Sequence, residues 1–295
     1  MNKYNFQTYI DFGASKIRIG VFDYELPKNN LYNQIVCISN FDKEKLNIDT
    51  SKNLINKLIQ SSEKELNLHI KNITLMIDAP DVQSFDFSIK KNLDSKSSFF
   101  DDIKFLLQDA RQLAQKNNEK KIIIHTIIEK IIIDDKIYSE LPNNNINYKS
   151  IALELKFIYI SEIFYNTIIK HFKLIHIEVD SILCSSYVKS SNYNQYFKEY
   201  NKKTFLDIGY KKSCVTVFDK DKLILFRTIP LGGNHITQDI SKVLDIEFDE
   251  AEQIKKSLNK KEATFSDNSK EELFSNKILS ASIKNNISLD LLKKV

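Results

Sequence analysis

The chain has 295 residues, 42% of them apolar and 28% charged, which is enough to build a substantial core and to furnish two lobes. Its 43 basic and 39 acidic residues are interspersed, so the net charge of +4 comes with no basic arm or stripe and nothing in it argues for nucleic acid. Cys37, Cys184 and Cys214 lie far apart and match neither a metal spacing nor a paired framework. The polar segment Met1–Thr8 lacks the apolar core of a signal peptide, and runs such as Ile122–Ile124 fall short of the ~20 residues of a membrane helix. A cytoplasmic protein is expected.

Gln7–Asp11 reads as a short strand, Gly13–Ser15 as a turn, and the alternation of Ile17, Ile19 and Val21 as the returning strand of a hairpin. A helix is expected over Ser51–Leu66, with Leu54, Ile55, Leu58, Ile59 and Leu66 on one face and Asp49, Thr50 or Ser51 as its cap. Ile73–Ile77 follows as a buried strand. From about Ser84 to Ile160 the pattern changes: a helix over Phe99–Gln115, a β-rich stretch over Lys121–Asp134, a turn near Asn143–Asn145 and a strand over Ile151–Ile160. This stretch reads as an inserted subdomain. A helix over Ser161–Phe172, with Ile163, Phe164, Ile168 and Ile169 inward, returns to the first lobe. Ile175–Asp180 leads into Ser181–Lys189, and Tyr193–Lys203 forms a polar crossing. Thr204–Gly209, a turn through Lys212, Ser213–Phe218 and Lys222–Thr228 then open a second lobe. The expected divisions are 1–83, 84–160, 161–203 and 204–295.

The second lobe repeats the opening of the first: strand, Asp-x-Gly, polar turn, alternating strand. Asp11 and Asp207 each precede a glycine by two residues, Gly13 and Gly209. Glycine lets backbone N–H groups approach phosphate oxygens, and Ser15, Lys16 and Ser213 offer further donors. The two aspartates are the candidate holders of Mg2+, through its retained waters. One such turn is an ordinary hairpin corner; two in this order suggest a clamp on one phosphate chain.

The segment Asp11-Phe12-Gly13-Ala14-Ser15-Lys16 and its echo resemble the superfamily of actin, the heat-shock chaperones and the sugar kinases, whose lobes each supply a phosphate loop. Three later stretches resemble the bacterial cell-division FtsA family within it. Ile229–Ile240 is similar to the family segment in which a proline-led turn enters a helix, with Gly232, Gly233 and Asn234 at the turn and Ile236, Ile240 and Val243 as its apolar face. Phe248–Lys255 is similar to the helix whose glutamate and lysine approach the nucleoside; Glu252 and Lys255 share one face, and a solvated ion pair satisfies the same spacing. Ile122–Asp135 with Ile151–Ser161, including His125–Lys130, resembles the subdomain that in FtsA contributes to polymer contacts.

The resemblance implies an α/β, two-lobed, actin-like (ribonuclease-H-like) ATPase fold with an FtsA-type insert and an incomplete second lobe. It implies a nucleotide site at Gly13, Ala14, Ser15, Lys16, Gly209, Tyr210, Lys211, Lys212, Ser213, Gly232, Gly233, Asn234, Glu252 and Lys255, with Mg2+ at Asp11 and Asp207, and ATP as the ligand. It further implies self-assembly into polymers, FtsZ and other division proteins as partners, and a place at the inner face of the membrane at the division site. Membrane contact is expected only through a C-terminal helix that this sequence lacks. Alternatives of the same plan are a pilus-assembly actin homologue, a small-molecule kinase and a chaperone-type ATPase.

Departures from the pattern carry equal weight. Gly209-Tyr210-Lys211-Lys212-Ser213 is poorer in glycine than its counterparts, so its lysines serve either as point charges on phosphate or as surface charges. Asp180-Ser181-Ile182-Leu183-Cys184-Ser185 holds no glutamine to position water; Asp180 fits a helix cap as well as a water-orienting carboxylate. At most weak hydrolysis is expected. After an apolar helix over Ile278–Leu292 there is no further strand and no Gly-Gly segment for adenine.

Overall fold

The computed structural model of the protein describes residues 5–26, 29–38, 48–78, 81–92, 98–138 and 148–258. The expected turn at Asn143–Asn145 and helix at Ile278–Leu292 lie outside them. Two compact units are present: Met1–Asp207 with Cys214–Thr228, and Ile208–Ser213 with Ile229–Val295.

The first unit is organised around a sheet of order β3-β2-β1-β4-β9. β1 (Phe6–Phe12) and β2 (Lys16–Asp23) pair antiparallel, placing Asp11 opposite Arg18. β3 (Asn30–Cys37) extends the hairpin, while β4 (Asn72–Ile77) and β9 (Glu178–Cys184) add in parallel. Period-two alternation buries Ile10 and Phe12 on β1, Ile17, Ile19 and Val21 on β2, and Ile73, Leu75 and Ile77 on β4. Each such side chain contributes about 1.5–3 kcal/mol on leaving water. The core is covered by Ile55, Leu58 and Ile59 of α1 (Ile48–Leu66) and by Ile168 and Phe172 of α3 (Glu162–Leu174). Ser161 caps α3, its Oγ accepting the Phe164 N–H at 3.3 Å. Ile163, expected inward, is 81% exposed, because it sits in the first turn of α3 ahead of the buried Ile168 and Phe172.

The stretch read as an insert has its own antiparallel sheet, β5-β8-β6-β7. α2 (Phe99–Lys116) lies across it, packing Phe99, Ile103, Leu106, Ala110 and Ala114 on Ile151, Leu153, Leu155 and Phe157 of β8 (Ser150–Ser161). β6 (Lys121–Ile133) turns into β7 (Lys136–Tyr138) through Asp134 and Asp135, both at positive φ, as a two-residue hairpin requires. Along β6 the pairing with β8 slips twice, leaving Ile124 and Glu129 as extra residues. Because side chains alternate faces, each bulge moves the residues beyond it to the opposite face. β5 (Gln83–Asn92) closes one edge and is tied to β12 (Lys222–Ile229): Ser84 Oγ donates to the Phe226 carbonyl at 3.0 Å, and Thr228 Oγ1 to the Val82 carbonyl at 3.1 Å.

A third sheet follows the order β10 (Lys202–Ile208), β11 (Ser213–Asp219), β12. Between β9 and β10 runs α4 (Ser185–Tyr196), which begins only at Ser185 because Ser181–Cys184 still pair with β4. The second unit joins the Ile208–Ser213 turn to α5 (Gly233–Leu244) and α6 (Phe248–Leu258), packed through Ile240, Leu244, Ala251 and Ile254. Ile236 and Val243, expected inward, are exposed; the buried stripe of α5 is Asn234, Thr237, Ile240 and Leu244.

Candidate phosphate loops

The first loop is a tight β1–β2 corner. The Gly13 N–H donates to the Lys16 carbonyl at 3.0 Å, and a side chain at position 13 would meet that same oxygen at 3.1 Å. Ser15 offers its carbonyl to the Ile38 N–H at 3.0 Å; Lys16 is exposed, while Ala14 and Ser15 are partly buried, Ala14 against the core. Asp11, at the end of β1, is fully engaged. Its Oδ2 lies 2.8 Å from Arg18 Nη1 across the hairpin, and its Oδ1 accepts from Ser185 Oγ of α4 at 2.8 Å.

α4 collects further partners in the same unit. Ser186 Oγ donates to Asp78 Oδ2 at 2.8 Å, and Lys189 Nζ stands 3.5 Å from Asp207 Oδ2. His125, turned by the first bulge of β6, accepts the Cys184 N–H on Nε2 at 2.8 Å, with the Tyr187 ring edge-on at 4.9 Å. Burial lowers the His125 pKa to about 4, so its ring is neutral and carries its proton on Nδ1. Asp180 binds the Asn72 side chain at 2.8 Å at the surface.

In the second unit the remaining expected residues come together. The second loop closes through the Gly209 N–H on the Lys212 carbonyl at 2.8 Å. Its carbonyls then cap α5: Gly209 accepts from the Gly233 N–H at 2.9 Å and Tyr210 from the Asn234 N–H at 2.8 Å. Gly232 is the residue that allows this approach, since a Cβ there would lie 2.5 Å from both the Gly209 and Tyr210 carbonyl oxygens. Ser213 Oγ closes the turn onto the Leu231 carbonyl at 2.7 Å. Lys255 Nζ reaches the Gly233 carbonyl at 2.8 Å, Thr237 Oγ1 at 2.7 Å and Glu252 Oε2 at 2.6 Å. Burial raises the Glu252 pKa, but hydrogen bonds from Lys255 and Thr237 outweigh it and hold the carboxyl below its usual value. Burial, helped by Glu252 and Asp249, pushes the Tyr210 phenol up to about 12. Lys212 is buried and Lys211 partly so, which places neither as a free surface charge.

Residues 204–290 match the family model described as the cell division protein FtsA. The chain resembles FtsA. A cell division protein FtsA from Bacillus subtilis (strain 168) is 22% identical over 282 residues, covering 93% of this chain and 62% of the relative, so the chain spans less than two thirds of that FtsA. Among solved structures, the PilM-PilN type IV pilus biogenesis complex matches with a TM-score of 0.60 at 11% identity, over 85% of this chain and 69% of that one. The fold is α/β of the actin-like ATPase class, as the resemblance to FtsA implies.

The cluster at Gly209–Ser213, Gly232–Asn234, Glu252 and Lys255 lies wholly within the FtsA match. Arg18 is marked by no motif, and Ser185, Lys189 and His125 enter the sequence reading only within longer stretches, with no role at this site. Arg18 was findable, since a two-strand hairpin through Gly13–Ser15 sets it opposite Asp11. Ser185 and Lys189 required knowing where α4 starts, and His125 required the bulge. The aspartates expected to hold Mg2+ already have cationic partners, Arg18 on Asp11 and Lys189 on Asp207. Mg2+ seeks anionic oxygens open to a hydrated ion, whereas both Asp11 oxygens are bonded and Asp207 faces an ammonium. No group of three or more His, Cys, Asp or Glu is placed for a metal among the described residues.

Proposed function

We propose that this is an ATP-binding, actin-like cell-division protein in which nucleotide acts as a conformational ligand for self-assembly and hydrolysis is weak. In this reading it works in the cytoplasm at the inner face of the membrane at the division site, linking the FtsZ ring to the membrane alongside other division proteins. The supporting observation is that the FtsA match of residues 204–290 takes in every residue of the hydrogen-bonded cluster formed by Gly209–Ser213, Gly232–Asn234, Glu252 and Lys255. In the first unit, Gly13–Lys16 is read as a phosphate loop of its own. No helix among the described residues is long and apolar enough to cross a membrane. The Mg2+ expected at Asp11 and Asp207 would compete there with Arg18 and Lys189.

The test is co-sedimentation of the chain with FtsZ polymers, with and without ATP, beside direct binding of a fluorescent ATP analogue. Nucleotide-dependent co-pelleting is expected; absence of both binding and co-pelleting refutes the proposal. Nucleotide binding without co-pelleting favours a pilus-assembly actin homologue, the reading that the PilM-PilN likeness supports.

A further inference from the structure

Asp11 and Asp207 both lean on α4. Ser185 holds the first at 2.8 Å and Lys189 faces the second at 3.5 Å. Four residues apart in a helix, Ser185 and Lys189 share one face, separated by about 6 Å along the axis. A single helix face therefore addresses both carboxylates, and it carries a positive charge. Arg18 supplies a second cation, on the Asp11 oxygen that Ser185 leaves. A divalent ion between these carboxylates would meet two like charges at close range.

We infer that Lys189 is the resident cation of this site and takes the place of Mg2+, so that nucleotide binding by this chain is independent of divalent ions. The inference rests on the nucleotide reading above. An ammonium on a four-carbon stem can swing between carboxylate and phosphate oxygens. At 3.5 Å from Asp207, with 41% of its side chain exposed, Lys189 is held loosely enough to do so. Arg18, 43% exposed and at 2.8 Å, keeps Asp11 neutralised, and Ser185 keeps it oriented. No covalent step is involved; the exchange is one of ionic partners.

The experiment titrates the full 295-residue chain with a fluorescent ATP analogue in Mg2+ and in EDTA. The dissociation constants in the two buffers are expected to agree within about threefold. Lys189→Met is expected to weaken binding in EDTA by about tenfold or more, with Mg2+ restoring it, while Lys189→Arg keeps the wild-type indifference. Loss of wild-type binding in EDTA by more than about tenfold overturns the inference and leaves the nucleotide reading intact. A Lys189→Met variant that binds as wild type in EDTA also overturns it. Binding in neither buffer overturns the nucleotide reading and the inference together.

Discussion

His125 is expected to make the first unit sensitive to mild acid. Its neutral ring accepts the Cys184 N–H at 2.8 Å, at the point where β9 gives way to α4, and burial lowers its pKa from 6.5 to about 4. Protonation converts Nε2 into a donor facing another donor, so the proton binds the unfolded chain first. The contribution of His125 is present above about pH 6.5 and is lost as the pH falls toward 4. At 1.36 kcal/mol per pH unit the full loss is about 3 kcal/mol, and about 2 kcal/mol of it accrues between pH 7 and pH 5. The assay is urea unfolding followed by circular dichroism at those two pH values, for wild type and for His125→Gln, whose amide oxygen can accept the same N–H but does not titrate. The expected result is a pH-dependent loss in wild type exceeding that in the variant by about 2 kcal/mol. Equal losses in the two proteins would refute the assignment of His125 as a buried neutral acceptor.

Gly232→Ala places a methyl group 2.5 Å from two carbonyl oxygens of the second loop, so it is expected to destabilise the second unit by about 1–3 kcal/mol, read as a lowered melting temperature. Lys255→Met removes the donor shared by Gly233, Thr237 and Glu252; a cost of about 1–3 kcal/mol is expected in denaturant unfolding. In the same variant the Glu252 carboxyl is expected to titrate at higher pH, which carbon-detected NMR follows. Lys156, 5% exposed, is paired with Asp86 and, at 2.9 Å, with Glu129, the second bulge residue of β6. Lys156→Met leaves Glu129 half-buried without its cation and is expected to cost about 1–3 kcal/mol, with Glu129→Gln in the same chain recovering part of it in thermal melts.

Strands whose alternation is driven by burial were legible: Ile17, Ile19 and Val21 gave the type of β2, and the continuous apolar run of β8 gave its type and its limits to within one residue. The helices over residues 48–66 and 99–116 were legible because each carries one apolar stripe. β3 and β5 were not, since Asn30–Cys37 and Gln83–Asn92 lie at sheet edges with many polar residues exposed, and pairing rather than burial makes them strands. The opposite error arose at α5, where Ile236 and Val243 suggested an inward face. The buried face instead carries Asn234, whose backbone N–H bonds the Tyr210 carbonyl, and Thr237, whose hydroxyl accepts from Lys255. The site followed the same division. Residues tied to glycine turns could be read directly, whereas those depending on a bulge or on the start of α4 could not.

α4 shows why its role escaped periodicity. Ser185, Ser186, Ser190 and Asn194 are buried, yet none is apolar. Their side chains bond Asp11, Asp78, the Tyr187 carbonyl and the Lys220 carbonyl, and Lys203 Nζ returns to the Asn194 carbonyl at 3.3 Å. Buried polar groups are mostly bonded, so this helix is positioned by a series of hydrogen-bond partners, with Tyr187 packing on the core and Tyr193 stacking on Phe205 beside them. Hydrogen-bond partners on the serine face can be exchanged without opening a cavity, whereas apolar packing cannot. A ligand that drew Asp11 away from Ser185 would act on the same helix face that holds Lys189 against Asp207. The polar character of α4 thus links Asp11 at the end of β1 to Asp207 inside the first unit, so that a ligand engaging one carboxylate would be felt at the other.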